Sequence, residues 1–138
     1  MADELMSSMA VSTQGMRAQS TRIRVISENV ANADSAANFP GEDPFQRKVV
    51  TFKNVLDKEL GTDTVRVKKV DHDTTPFPVK YMPGHPGADA NGYVKMPNIN
   101  TAIEMMDMRE AQRSYEANLN MMNMTRQMAN QTVGMLDR

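Results

Sequence analysis

Proline divides this chain into three parts. All seven prolines lie between Pro40 and Pro97, which leaves a long proline-free arm at each end. Proline removes a helical hydrogen bond and clashes with the preceding turn, so its absence permits long helices. The predicted segments are an N-terminal helical arm at 1–34, a loop and small β-rich region at 35–97, and a C-terminal helical arm at 98–138.

Each arm carries an apolar repeat whose spacings alternate between three and four residues. Such a repeat places one stripe on a helix, which can pair with the other arm or with neighbouring copies. Gln19, Gln112 and Arg126 interrupt the stripes, as expected of helices that contact protein on several sides or become ordered on assembly. The positions are Met9, Ser12, Met16, Gln19, Ile23, Ile26, Val30 and Ala33 in the first arm, and Met105, Met108, Gln112, Tyr115, Leu119, Met122, Arg126, Ala129, Val133 and Leu136 in the second.

The middle region combines short β-branched and aromatic runs with many turn residues, which is typical of small strands. We therefore predict an α+β fold, in which two long terminal helices pair as a coiled-coil-like hairpin beside a small β-rich middle region. Thr101 and Glu104 have the spacing of a capping box at the start of the second helix, where Asn98 and Asn100 are further cap candidates. The predicted elements of the middle are strands at 45–52, 64–70, 78–82 and 92–96, a helical turn at 54–60, and a two-residue Asn-Gly hairpin turn at 91–92.

The composition excludes several classes of function. The formal net charge is −1, so no global field draws the chain to nucleic acid or to anionic lipid. The absence of cysteine removes disulfides, thiolate nucleophiles and most structural zinc sites. Asp3 and Glu4 stand where a Sec-type signal peptide has a basic segment, and no stretch approaches the roughly 20 apolar residues that span a bilayer. We predict neither a signal peptide nor a transmembrane segment.

Two short motifs bear on catalysis or metal binding. Asp71-His72-Asp73 is the cluster with most metal-ligand character, but consecutive strand residues point to opposite faces and rarely converge on one ion. We interpret it as a solvated turn, and an enzyme that uses it remains the weakest hypothesis. Asp89-Ala90-Asn91-Gly92 is similar to the opening of a calcium loop without the required glutamate, and we interpret it as a tight turn. We expect no cofactor, no metal and no enzyme activity.

Several segments resemble one known family. The chain is similar to the type C family of bacterial flagellar basal-body rod proteins, within the wider group of flagellar rod and hook axial proteins. One departure is the longer link from Ala33 to Arg47, which carries Phe39, Pro40 and Gly41. The segments that carry the resemblance are Ser-Glu-Asn-Val-Ala-Asn at 27–32, Pro-Phe-Gln-Arg-Lys at 44–48, the Pro- and Gly-rich run at 83–98, Glu-Met-Met-Asp-Met at 104–108 and Arg-Ser-Tyr-Glu-Ala-Asn at 113–118.

The resemblance implies a tubular, axial assembly that carries torque from motor to hook and forms the export channel. It implies termini that are disordered in the free subunit and fold into paired helices in the tube. It also implies export through the flagellar type III apparatus without a cleaved signal peptide, and a place in the periplasmic rod of the basal body. The implied partners are copies of itself, other rod subunits, the membrane-ring adaptor protein and the export gate, with no nucleic acid.

The leading hypothesis is therefore a structural subunit of the flagellar proximal rod. The alternative is a helical adaptor or chaperone-like binding protein whose arms bind client helices. We expect assembly to use both stripes, the amide-rich end of the first helix, and the loop at 34–48. The expected assembly residues are Met9, Met16, Ile23, Ile26, Asn29, Val30, Asn32, Phe39, Phe45, Arg47, Met108, Tyr115, Leu119, Met122, Val133 and Leu136.

Overall fold

Two long helices and two small hairpins make up the fold. The computed structural model describes residues 2–58 and 61–136. The order of the elements along the chain, with a helix at each end and a small β-rich middle, confirms the predicted α+β fold. The elements are α1 (Ala2–Ala31), β1 (Lys48–Asp57), β2 (Thr62–His72), β3 (Val79–Tyr81), β4 (Tyr93–Lys95) and α2 (Thr101–Leu136).

Side-chain amides define where the helices meet the middle region. The Asn32 side chain donates to the carbonyl of Glu28 at 2.8 Å, which satisfies a last-turn carbonyl of α1. Asn100 caps α2, because its Oδ1 accepts from the backbone N–H groups of Ala102 and Ile103. Among the predicted cap candidates, Asn100 is therefore confirmed, and the capping box suggested by Thr101 and Glu104 is wrong. The carboxylate of Glu104 has other partners, described below.

The helices are 30 and 36 residues long, or about 45 and 54 Å at 1.5 Å per residue. They pack against each other as an antiparallel pair, and α1 also packs against β1 and β2. The described part of α2 packs on α1 alone among these elements. No helix within the described ranges is long and apolar enough to cross a membrane.

Strands β1 and β2 form an antiparallel hairpin. Its register runs from Lys48 opposite His72 to Asp57 opposite Thr62, with one irregularity between Thr51 and Phe52. β1 begins three residues later and ends five residues later than predicted, and β2 extends two residues beyond its predicted bounds at each end. The predicted helical turn at 54–60 is wrong for 54–57, because ladder hydrogen bonds with β2 outweigh weak local propensity. Residues 59–60 lie outside the described ranges.

Strands β3 and β4 form a second, smaller hairpin. Tyr81 lies opposite Tyr93, so the connection spans 82–92 and the predicted two-residue turn at 91–92 is wrong. The Asp89 carboxylate accepts from the backbone N–H groups of Asn91 and Tyr93, which makes these residues the end of a longer loop. Gly92 completes that turn with a φ of 82°, a conformation that favours glycine.

The buried core is small and unusually polar. Apolar side chains buried in it are mostly short, while several hydroxyl, amide and carboxylate groups are buried as deeply. Hydrogen bonds rather than apolar volume must therefore specify much of the packing. The buried apolar residues are Ala18, Val25, Ile26, Ala37, Val94 and Ala111, and the buried polar residues are Ser12, Asn29, Thr64, Glu104 and Thr125.

Candidate assembly interface

The seam between α1 and α2 is built from small and polar residues. Its contacts are spaced by seven and then by fourteen residues along each helix, which are multiples of the repeat of an antiparallel coiled coil. At one contact the Asn118 side chain lies so close to Gly15 that a Cβ on Gly15 would be 2.9 Å from Nδ2 of Asn118. The contacting pairs are Ser8 with Thr125 (hydroxyl oxygens 3.4 Å apart), Gly15 with Asn118, and Asn29 with Glu104.

The seam and the predicted stripes share every second position. At the positions between, the seam residue is the one just before the residue that the stripe predicts. On α2 the partly buried Met108, Tyr115 and Met122 belong to both the seam and the predicted stripe. The intervening seam positions are Glu104, Ala111, Asn118 and Thr125, each one residue before a predicted position. Short side chains allow close approach of two helices, and polar ones find partners across the seam, so these residues line it instead of longer apolar ones.

The same displacement occurs on α1. Ser8, Gly15 and Asn29 face α2, whereas the predicted Met9, Met16 and Val30 lie one position further and are partly buried. Among the other expected assembly residues, Ile26 is buried, and Ile23 and Asn32 are partly buried.

The displacement leaves apolar side chains exposed on both flanks of the α2 seam. On one flank, Met105, Leu119 and Val133 are 45, 36 and 58 % exposed. On the other flank, Met121, Met128 and Met135 recur every seven residues and are 52, 53 and 78 % exposed. A helix with two such flanks is suited to further helix neighbours. The side chain of Leu136, the last expected assembly residue, lies outside the described side chains.

A second feature, which we call the polar joint, consists of Asn29, Arg47, Asp73, Asn98 and Glu104. Its centre is the Glu104 carboxylate, whose side chain is only 2 % exposed. One oxygen accepts from Nε of Arg47 at 2.6 Å, and the other accepts from Nδ2 of Asn29 at 3.0 Å. The buried charge is therefore both paired and hydrogen-bonded, which is the condition under which such a charge is tolerated.

The amides of the polar joint bind backbone as well as side chains. Asn29 accepts from the N–H of Lys48 and donates to its carbonyl, which fixes the start of β1 against α1. Asn98 accepts from the N–H of Arg47 and donates to the carbonyls of Asp73 and Thr75. The joint thus connects the end of α1, the start of β1, the end of β2 and the start of α2.

Electrostatics reinforce this arrangement. Hydrogen bonds from the side chain and backbone of Thr75, together with the nearby Arg47, lower the pKa of Asp73 from its ordinary value. Burial alone would lower the pKa of Arg47, but the hydrogen bonds and charges of Glu104 and Asp73 outweigh it, so the pKa of Arg47 is raised. The two shifts keep Asp73 and Arg47 charged at neutral pH, and their attraction helps to hold the joint closed.

An ion-pair group continues from the polar joint along the helix seam. The Arg22 guanidinium lies 3.8 Å from Asp107 and 3.6 Å from Glu110, which precede the buried Ala111 on α2. Arg47 also approaches Asp107, at 4.0 Å. Charges therefore join α1 to the first third of α2.

The loop between α1 and β1 carries the two expected aromatic residues in different settings. Phe45 is partly buried, and the ammonium of Lys48 lies 5.7 Å from its ring centroid. Phe39 is 71 % exposed. Of the expected loop residues, only Arg47 belongs to the polar joint.

Sequence reasoning placed Asn29 and Arg47 in the interface set but missed Glu104 and Asp73. Glu104 was interpreted as a cap, and Asp73 as part of a solvated turn. That turn is wrong, because Asp71 and His72 end β2 and Asp73 pairs with Arg47 at 3.4 Å. No group of three or more metal-ligating side chains occurs where residues are described. The sequence offered no local signal for Glu104, whose partner Arg47 lies 57 residues away.

Comparison with known proteins places the chain in a family. A family model described as "Flagellar basal body rod FlgEFG protein C-terminal" matches residues 90–135, which include β4 and nearly all of α2. The matched segment therefore contains both exposed flanks of α2.

Relatives match along almost the whole chain. The flagellar basal-body rod protein FlgC of Agrobacterium fabrum is 48 % identical over 97 % of this chain and 96 % of its own length. FlgC of Salmonella typhimurium is 38 % identical over 89 % of this chain and 91 % of its own length. FlgC of Bacillus subtilis is 36 % identical over 88 % of this chain and 91 % of its own length. The helical arms, the β-rich middle and these matches agree, and the chain belongs to the FlgC family of flagellar basal-body rod proteins.

Proposed function

We propose that this chain is a structural subunit of the flagellar proximal rod, and that it assembles through the exposed flanks of α2 into a tubular shaft that transmits torque and surrounds the export channel. The observation that carries the proposal is the pair of apolar flanks beside a polar seam. Exposed apolar patches of this kind mark contact surfaces. Methionine suits them because its flexible side chain adapts to neighbours that are not identical.

The partners we infer are copies of the chain, other rod subunits, the membrane-ring adaptor protein and the export gate. Family membership supports a place in the basal body, since the relatives are named as basal-body rod proteins. We infer further that the chain reaches the periplasmic rod through the flagellar type III apparatus without a cleaved signal peptide. The resemblance of its segments to rod proteins supports this route.

Torque transmission requires that the β-rich middle stay fixed relative to the helices. Apolar contacts along a seam are weakly directional and let helices slide. The charge-assisted hydrogen bonds of Glu104 with Arg47, and the two backbone bonds of Asn29, are directional and short. We assign the polar joint the role of passing lateral force from the hairpins to the helix pair.

The exposed flank is tested by Leu119→Asp. Leu119 is 36 % exposed in the chain, so an aspartate there is tolerated before assembly but becomes an unpartnered buried charge against a neighbour. We expect normal expression and unchanged circular dichroism of the purified chain. Swimming and the yield of rods in electron micrographs of basal bodies should fall at least tenfold.

Asn120→Asp is the matched control, because Asn120 is an adjacent exposed residue that lies outside both flanks. A strain that carries Asn120→Asp should swim normally. Leu119→Met should also assemble, since it keeps an apolar side chain. Wild-type swimming by the Leu119→Asp strain would contradict the assignment of this flank to a subunit contact.

A further inference from the structure

Phe39 is an exposed aromatic side chain held on a rigid turn. The carbonyl of Phe39 accepts from the N–H of Glu42 at 3.2 Å, with Pro40 and Gly41 between them. Gly41 has a φ of 87°, as required at the third position of a type II turn. Proline fixes one central residue and glycine supplies the other, so the turn has little freedom to lose on binding.

Both sides of this turn are anchored to the fold. Ala37 is 4 % exposed, and its carbonyl lies so near Gly87 that a Cβ there would be 2.0 Å away. Pro44 is buried, and the Asp43 carboxylate accepts from Nζ of Lys95 at 2.7 Å. The turn is therefore held in place, and it presents a phenylalanine that is 71 % exposed. An exposed aromatic side chain on a fixed turn is suited to fill a pocket on a binding partner.

The turn is also acidic. Residues 34–43 include Asp34, Glu42 and Asp43 and no lysine or arginine. Asp34 and Glu42 are exposed, five residues before and three residues after Phe39. A complementary surface is therefore an apolar hollow with basic residues at its rim.

A hollow of that chemistry lies between α1 and β2 of the same chain. Ala18, Val65 and Val67 supply apolar surface, and Arg17 and Arg66 supply positive charge. Its remaining lining residues are Gln14 and Thr21. Arg66 also lies 3.4 Å from Asp57, an exposed pair that contributes little and can exchange partners. A larger cleft between the helices has Asp3 and Glu4 at its rim, which would repel the acidic turn.

Phe39 cannot occupy the hollow of its own chain. Arg17 lies about 20 Å along α1 from the end of the helix at Ala31, at 1.5 Å per residue. The turn follows that end and is anchored there through Ala37 and Gly87. A contact between the turn and the hollow must therefore join two molecules. When each pair of copies makes this contact once, the contact is heterologous and propagates from copy to copy.

We propose that the Phe39 turn of one copy docks into the Arg17–Arg66 hollow of a second copy, with Asp34 and Glu42 facing the two arginines. This inference rests on the proposed self-assembly of the chain and names one lateral contact within it. It gives the loop a binding role that neither helix flank supplies.

Cysteine crosslinking tests the contact, because the chain contains no cysteine of its own. Asn38→Cys places a thiol beside Phe39, and Val65→Cys places one in the hollow. The double variant is expressed in place of the natural chain, and isolated basal bodies are treated with a short bismaleimide. We expect a ladder of covalent dimers and higher multimers. A crosslink to a different protein in place of the ladder would overturn the choice of a second copy.

The matched control replaces Val65 by Val70, which lies on the same strand with nearly equal exposure (41 against 40 %) but outside the hollow. Asn38→Cys with Val70→Cys should give at most one-tenth of the ladder. Adding Phe39→Ala to the first pair should reduce the ladder at least fivefold, and adding Phe39→Leu should preserve most of it. Equal ladders from the two cysteine pairs would contradict the docking.

Charge reversal provides an independent measurement. In the Asn38→Cys, Val65→Cys background, Arg17→Glu should reduce the ladder at least threefold, and Glu42→Lys should restore it. If the double-cysteine chain enters rods without a ladder, the docking is wrong and the rod function stands. If the natural chain itself is missing from rods, the proposed function is wrong as well.

Discussion

The two ends of the helix pair are held in different ways. At one end, Asn29, Arg47 and Glu104 form short charge-assisted hydrogen bonds around a buried carboxylate. At the other end, the hydroxyl oxygens of Ser8 and Thr125 make a longer contact of 3.4 Å across the seam, and exposed methionines line α2. The chain thus fixes one end by its own contacts, and in the proposed assembly neighbouring subunits would hold the other end.

This difference agrees with an assembly that must be specific without forming too early. Isolated helices in water are marginal unless an apolar face finds a partner. Near the polar joint, α2 has charged partners in α1 and in the β-rich middle. Toward Met128 and Met135, a large part of its apolar surface has no contact within the described chain. The far end therefore gains most from assembly.

The largest expected effect comes from breaking the polar joint with Arg47→Met. This change leaves the Glu104 carboxylate buried with Asn29 as its remaining partner, so we expect a loss of about 3 kcal/mol in the free energy of unfolding. Urea unfolding of the purified chain measures it. Arg113→Met, an exposed substitution on α2, should change stability by less than about 0.5 kcal/mol.

A second variant keeps this test decisive if Arg47→Met does not fold. Adding Glu104→Met removes the unpartnered charge and fills the space with apolar atoms, so most of the lost stability should return. If the free energy of unfolding of the double variant stays as low as that of Arg47→Met, backbone geometry and not the charge pair holds this end of the molecule.

A smaller effect is expected from acid. The pKa of Asp73 is lowered in the folded chain, so the stability this carboxylate contributes is present above its unfolded value near 4 and is lost as the pH falls through the folded value. The pKa of Glu28 is lowered too, chiefly by a hydrogen bond from Lys48, and acts in the same direction. The urea midpoint should therefore fall between about pH 5 and pH 3.

Asp73→Asn sharpens this prediction. Near pH 7 the variant should be less stable than the natural chain. On going to about pH 3 it should lose less stability, because the asparagine has no carboxylate to protonate. Asp63→Asn, an exposed position on β2 outside the polar joint, is the control and should follow the natural chain. An Asp73→Asn curve parallel to that of the natural chain would exclude a contribution from this carboxylate.

The sequence predicted the helices because their signal is local and repeated. Absence of proline and a seven-residue repeat suffice to indicate two paired helices, and the fold class followed. The face used for pairing did not follow, because Gly15 and Asn118 have no apolar signal and meet in the seam through the close approach of the Asn118 side chain to Gly15. The seven-residue repeat alone does not distinguish between neighbouring faces of a helix, so it does not indicate which face pairs.

The polar joint was only half predictable. Asn29 stood out because asparagine is disfavoured in helix interiors and favoured at helix ends, where its amide can bond to backbone. Glu104 did not stand out, since a glutamate in a first turn is expected for helix capping or the helix dipole. Its actual partners, Arg47 and Asn29, are brought to it by the hairpin and by the antiparallel helix pairing, which are long-range features.

Hydrogen exchange on the free chain and on isolated basal bodies tests the central difference between the two ends most directly. In the free chain, amides at 104–111 should exchange about a hundredfold more slowly than those at 124–133, because only the former lie beside the polar joint. In basal bodies the second group should become protected to a similar degree. Equal protection of both groups in the free chain would contradict the account, because both ends would then be fixed without neighbours.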